Sequence, residues 1–384
     1  MGIRLDGTTD TISAPGSDLN LGQSGDSVKV ASEVQLPTAG ALSNRNIMIN
    51  GAMQVAQRGT VVNAGNEYGG PDRYKFGKND GAYTISQDTD VPSGSGFAKS
   101  YKIDVTSAAS STGTQYVFLR QMIEGQDLQH LKKGTSSAES LTLQFWVKST
   151  KTGTYVVQLY DIDTSPNRQI CKTYTVNSSN TWEYKTITFA GDTTGAFDSD
   201  NAASLEINWW LYAGSTYTSG TLQTSWGTYS NANAAVGQVN AADSTSNNIF
   251  FTGVQLEVGS KATPFEHRSF GDEIARCQRY YGKIRLANQE WIYNESNSAN
   301  QKWHQIYIPF TMRANPSVDV SDLTTGDAVG GLTGVINSVT PQAPGDTPGR
   351  ISSRVTMSAS GGTARYIYHH DWWNGDYVSL SAEL

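Results

Sequence analysis

Aromatic side chains interleaved with amides and carboxylates are the residues of this chain whose types and spacing point to chemistry. A sugar ring offers an apolar C–H face to a flat indole or phenol, while Asn, Gln, Asp or Glu bond its hydroxyls. Two stretches alternate in this sense. In Leu141-Thr-Leu-Gln-Phe-Trp-Val-Lys148, period 2 places Leu141, Leu143, Phe145 and Val147 on one face and Gln144, Trp146 and Lys148 on the other. In Leu205-Glu-Ile-Asn-Trp-Trp-Leu-Tyr212, Leu205, Ile207, Trp209 and Leu211 point inward, and Glu206, Asn208, Trp210 and Tyr212 outward. The expectation is one outward face shared by Trp146, Trp210 and Tyr212, with Glu206 and Asn208 between them. That face is either a saccharide platform or a surface covered by the loop 213–247 or by another subunit, since aromatic residues also mark protein interfaces. Trp226, inside that loop, joins the candidates. A second cluster, Tyr366, Tyr368, Trp372, Trp373 and Tyr377, reads both as sugar contact and as the core of a small domain.

Catalytic chemistry finds no comparable support. Glu124, Asp127 and His130 sit close together on a turn containing Gly125 and read as capping groups. No Gly-x-Ser-x-Gly elbow, P-loop or His-Glu-x-x-His occurs. His369 and His370 are neighbours, and on a regular strand neighbours face opposite ways, so both cannot hold one metal ion. A metal shared about a three-fold axis is the arrangement left open to them. The expectation is a chain that is not an enzyme and carries no cofactor or metal.

Only 16% of the 384 residues are charged, 38 are Gly and 10% are aromatic. Such a mix suits short strands joined by many turns rather than helical bundles. A net charge of -7 disfavours phosphate-backbone binding, which needs clustered Lys and Arg, so no nucleic-acid partner is expected. Cys171 and Cys277 form no motif. The opening Met1-Gly-Ile-Arg-Leu-Asp lacks the apolar core of a signal peptide, and no run of about 18 apolar residues exists, so neither secretion nor membrane insertion is expected.

The fold expected is mainly β. Residues 1–44 form an N-terminal arm without heptads. Residues 45–268 form a jelly-roll β-sandwich, entered through a strand and turn at Asn46–Val55 and closed by Asn248–Val258. A helical joint, 269–282, leads to a small C-terminal β-sandwich, 283–384, with a turn-rich loop from Gly330 to Gly349. The joint carries the clearest helix signal: Ser269 as N-cap, Asp272 and Glu273 in the first turn, Arg276 and Arg279 later. Phe265, Phe270, Ile274 and Cys277 are expected to pack at the junction between domains.

Several of these runs together form a pattern. Asn46-Ile-Met-Ile-Asn-Gly-Ala-Met-Gln-Val-Ala-Gln-Arg-Gly59, Asp72-Arg-Tyr74, Gly134 through Ser149, and Thr252-Gly-Val-Gln-Leu-Glu257 through Cys277-Gln-Arg-Tyr-Tyr281 resemble tail-fibre and related virion proteins of marine tailed phages. The central region resembles a carbohydrate-binding-module-like jelly roll. The resemblance spans roughly residues 44–285. It implies a homotrimer, an N-terminal arm docked to other tail or virion proteins, and a distal end that meets polysaccharide or lipopolysaccharide of the host surface. It further implies a virion location after synthesis in the host cytoplasm, and it nominates no catalytic residue. A purely structural virion component, such as a connector or head decoration protein, is the alternative reading, and a glycan depolymerase the third.

Overall fold

Alternating apolar residues build two antiparallel sheets that close face to face over one core. The structure, a computed structural model, describes residues 44–110, 113–285, 301–307, 309–314, 316–319, 335–341, 350–358 and 377–384. All of these lie in the second of the two units into which the chain divides, Thr38–Leu384. The expected N-terminal arm therefore lies outside the described residues, apart from Asn44.

The first sheet runs, edge to edge, Val61–Val62, Ala82–Asp88, Ser100–Ser107, Asn248–Val258, Leu141–Ser149 and Glu183–Phe189. The second runs Gly227–Thr228, Arg168–Val176, Gly153–Asp161, Ala203–Ala213, Tyr116–Glu124, Lys75–Lys78 and Glu67–Tyr68. The chain passes back and forth between them, leaving short hairpins in each, which makes a β-sandwich of the jelly-roll kind. Inward residues of both sheets interdigitate. Phe145 of the first sheet meets Trp209 of the second edge-on at 6.0 Å, and Trp209 in turn lies 6.5 Å from Tyr74 and 6.1 Å from Phe251. These side chains are essentially inaccessible to solvent, and burying rings of this size is the largest apolar contribution a core residue makes.

Of the strand and turn expected at Asn46–Val55, the turn is present, with the Met53 N–H donating to the Asn50 carbonyl at 2.9 Å, but the strand is not. Two asparagine side chains supply the bonds that a neighbouring strand would have supplied. Asn46 donates to the Val254 carbonyl at 3.0 Å and accepts from the Leu256 and Met48 N–H groups. Asn50, at a left-handed φ of 59°, donates to the Val55 and Asp72 carbonyls and accepts from the Val55 N–H. Start and exit of the sandwich are pinned to each other. The Glu266 carboxylate accepts from the N–H groups of Arg45 and Asn46, at 3.1 and 3.0 Å. Arg45 donates to the Pro264 carbonyl, and Arg268 to the carbonyls of Met48 and Asn46.

The helix spans Phe270–Gln278, and Ser269 caps it by accepting from the Asp272 N–H at 3.1 Å. Its packing differs from the expectation. Cys277 is fully buried and Ile274 half-buried, but Phe270 is 55% exposed. Side chains lean toward a helix's N-terminus, so Phe270 overhangs the first turn while Cys277, two turns later, sits over the body. Glu273 takes the buried place instead, accepting from the Asn50 N–H at 2.5 Å and facing Arg268 at 3.4 Å. Phe265 packs against Phe97 and His267 and belongs to the groove described below.

Beyond the helix, Tyr281–Arg285 pairs with Tyr377–Ser381, which also pairs with Ser317–Asp319. A separate sheet joins Gln301–Tyr307, Arg350–Ser358 and Val335–Pro341. The last of these strands falls where a turn-rich loop was expected. It survives its proline because Pro341 is the terminal residue of an edge strand, where no ladder donor is required. The chain end then returns to the sandwich. Tyr68 donates to the Leu384 carbonyl at 2.9 Å, and Glu383 meets Arg58 and Arg73. Arg279 forks onto Glu124 at 2.9 and 2.7 Å.

Candidate functional site

The outer face of the first sheet carries a cross-strand row set by register. Tyr184 lies opposite Trp146, and Trp146 opposite Thr252. The Trp146 and Tyr184 rings are 5.4 Å apart at 53°, and Tyr184 is 46% exposed. Most other polar residues of this face are roofed. Thr142 donates to the Gly259 carbonyl at 2.7 Å, Gln144 to the Thr263 carbonyl at 2.9 Å, and Gln255 accepts from the Glu266 N–H at 2.7 Å. Glu257 accepts from the N–H and hydroxyl of Thr263. The exit segment 259–267 is thereby laid across the sheet and stops short of Trp146.

What it leaves is a groove of about 340 Å³, walled by Trp146, Tyr184, Phe97, Phe265, His267 and Gln144. Phe97, Phe265 and His267 form a compact triad, with centroids 4.9, 5.3 and 4.9 Å apart. Gly253 lets the two sides close. Its φ is +61°, and a Cβ there would stand 2.6 Å from Phe97 Cζ and 3.1 Å from Trp146 Cδ1. It sits within a break of register between Thr252 and Gln255, and such bulges re-aim side chains.

The polar groups around the rings are arranged in two ways. Gln144 is spent in holding the walls, donating to Thr263 and accepting from the Tyr184 hydroxyl. The Trp146 indole N–H and the His267 ring nitrogens make no hydrogen bond among the described residues. Beside the groove, Asp90 accepts from the Trp182 indole at 2.9 Å and pairs with Lys148. Burial by itself would raise the Asp90 carboxyl, but the bonds from Lys148 and Trp182 outweigh it and hold it below its ordinary value. Lys102 is likewise matched by Asp104 at 2.9 Å and Asp88 at 3.7 Å.

The other expected platform residues lie elsewhere, because Leu141–Ser149 and Ala203–Ala213 belong to different sheets. Trp146 and Trp210 therefore point out of opposite sides of the sandwich. Trp210 is buried under the loop 213–247, where Phe118, Val156, Cys171, Ala234 and Ala235 form a second small core with Tyr217 and Leu222 against it. Tyr212 faces the main core, since a register break between Trp210 and Tyr212 turns it inward. Glu206 pairs with Arg120 at 2.9 Å, and Asn208 shares Gln158 with the Trp210 indole. Trp226 packs against the core and donates to the Ala190 carbonyl at 2.7 Å. Tyr366, Tyr368, Trp372 and Trp373 lie outside the described residues, as do His369 and His370.

Glu124 ends the strand Tyr116–Glu124, and Asp127 and His130 lie in the two 3-10 turns that follow it, with Glu124 engaged by Arg279 and Gln126. Among the described residues no group of three His, Cys, Asp or Glu could hold a metal ion, and no helix is long and apolar enough to cross a membrane. Both cysteines are free and buried.

Neither a protein-family model nor a curated protein matches the sequence. Solved structures resemble it in part. The enzymatically active domain of the bacteriophage CBA120 tailspike protein 4 is 14% identical, with a TM-score of 0.29, over 52% of this chain and 21% of that one. The match thus spans about a fifth of the length of that domain. A sugar-binding protein from Bacteroides thetaiotaomicron is 12% identical, with a TM-score of 0.32, over 56% of this chain and 100% of its own. The family 11 carbohydrate-binding module of a Clostridium thermocellum cellulase is 14% identical, with a TM-score of 0.26, over 54% and 98%.

Proposed function

We propose that this chain is a non-catalytic glycan-binding attachment protein, a tail fibre of a tailed phage that grips polysaccharide or lipopolysaccharide on the host surface. The observation that carries the binding part is the groove: two rings, Trp146 and Tyr184, at the floor of an open aromatic cleft with unspent indole and imidazole nitrogens. A pyranose ring seats on Trp146 by its C–H face and turns its hydroxyls toward His267. The virion role, the homotrimer and the docking arm rest on the sequence resemblance. A single groove of this size gives weak binding, and copies presented on one particle multiply it.

The test is binding of the purified protein to polysaccharide extracted from the host, together with particle adsorption. Trp146→Ala and Tyr184→Ala each weaken binding about tenfold, or about 1.4 kcal/mol, while particles still assemble. Unchanged adsorption and binding in both variants would remove the groove from consideration.

A further inference from the structure

The lining of the groove also selects a class of sugar, an inference that rests on the glycan-binding reading above. Among the described residues that line it there is no Asp, Glu, Lys or Arg. Lys148 and Lys102, on the same outer face of the sheet, are already matched inside the protein, Lys148 by Asp90 and Lys102 by Asp104 and Asp88, while Lys99 and Lys261 on the flanking segments are not part of the lining. An acidic saccharide entering here would shed water from its carboxylate or sulfate and find no Lys or Arg in the lining to replace it, which is costly for a charge. An uncharged ring loses nothing of the kind. Its C–H face covers the indole of Trp146, and its hydroxyls bond polar groups the groove presents: the Trp146 indole N–H, the His267 imidazole and, as an acceptor, the Tyr184 hydroxyl, which donates to Gln144.

We infer that the groove takes an uncharged pyranose, a neutral hexose unit of a surface polysaccharide, and discriminates against uronic-acid and sulfated sugars by leaving their charge unpaired. His267, carried on the exit segment, is the residue that reads the hydroxyl pattern, and Trp146 the residue that supplies the stacking surface.

The experiment is titration of the full-length protein with a panel of neutral polysaccharides (glucans, mannans and galactans) and of acidic ones (polyuronates and sulfated galactans), each at about 20 mM and about 500 mM NaCl, across which ionic screening changes several-fold. The expected result is binding to at least one neutral polymer, with an affinity that changes less than twofold with salt. Trp146→Ala and Tyr184→Ala should weaken it about tenfold, and His267→Ala should change the order of preference among the neutral polymers. Tyr184→Ala truncates a side chain nearly half exposed and keeps the test usable if Trp146→Ala unfolds. Binding confined to the acidic polymers and falling more than tenfold in high salt would overturn the inference while leaving the protein a glycan binder. Binding to none of the panel, or binding indifferent to Trp146 and Tyr184, would overturn the underlying reading with it.

Discussion

Arg73 and Glu383 stand 310 positions apart, yet the guanidinium of one and the carboxylate of the other form an ion pair in which Arg73 is 1% exposed. The same arginine lies 3.4 Å over the Tyr280 ring and donates to the Met122 carbonyl. Glu383 also holds Arg58 at 3.0 Å. The Asp72-Arg-Tyr74 run therefore serves three structural tasks at once. Asp72 bonds Gln57, Tyr74 fills the core, and Arg73 waits for the chain end.

Removing Glu383 strands a buried guanidinium. Glu383→Gln should lower the unfolding free energy by about 3–5 kcal/mol, as breaking one side of a buried pair does, and Arg73→Met in the same chain should restore part of it. Urea unfolding of the single and double variants measures both. A single variant within about 0.5 kcal/mol of the parent would show that the pair contributes nothing.

Gly253→Ala should destabilise by about 1–3 kcal/mol, the cost of holding a side chain at a left-handed φ, and should also displace Phe97 from the groove. Glycan binding should then fall further than at other destabilised positions. Calorimetric titration beside thermal unfolding separates the two effects.

Acid should loosen the connection between sandwich and helix. Burial would raise Glu124, but hydrogen bonds from Arg279, Tyr280 and Gln126 outweigh it, and its folded value lies below the ordinary 4.5. Glu266 is lowered in the same way, its burial outweighed by the N–H groups of Asn46 and Arg45. Groups lowered on folding contribute stability that is fully present above their ordinary value and is lost as pH falls through the folded one. Asp72 acts in the opposite sense, since burial holds it above its ordinary value. Denaturation midpoints should fall as pH drops below about 4.5, with a shallower slope in Glu124→Gln. Equal slopes would exclude Glu124 as a contributor.

Phe270→Ser should leave stability within about 0.5 kcal/mol of the parent, because the ring is 55% exposed. A loss above about 1 kcal/mol would return Phe270 to a packed junction.

The parts that could be read from the sequence were those governed by local physics. Ser269 announced its cap, and the alternation of Leu141–Lys148 and Leu205–Leu211 separated inside from outside. What failed depended on partners. No local feature says that Trp146 and Trp210 belong to different sheets, and alternation assigns Tyr212 outward because it cannot see the bulge before it. The walls of the groove come from four places: Phe97 on a glycine-bordered loop, Trp146 and Tyr184 on adjacent strands, and His267 on the exit. Tyr184 stands in the run Trp182–Phe189, whose alternation is that of a strand, but its position opposite Trp146 is a matter of register. Asn46 and Asn50 misled in another way, because side-chain bonds there imitate a strand's.

The fastening of Arg45 and Asn46 to Pro264 and Glu266, and of Arg268 to Met48, bears on how the protein carries mechanical load. Tension applied between the flanks of the sandwich meets this side-by-side clasp first. The thirteen strands hang from it as a side branch, off the line of force. Pulling on the two flanks would load this handful of side-chain bonds, and because Phe265 and His267 lie between Pro264 and Arg268 in the same segment, the shape of the groove is tied to them.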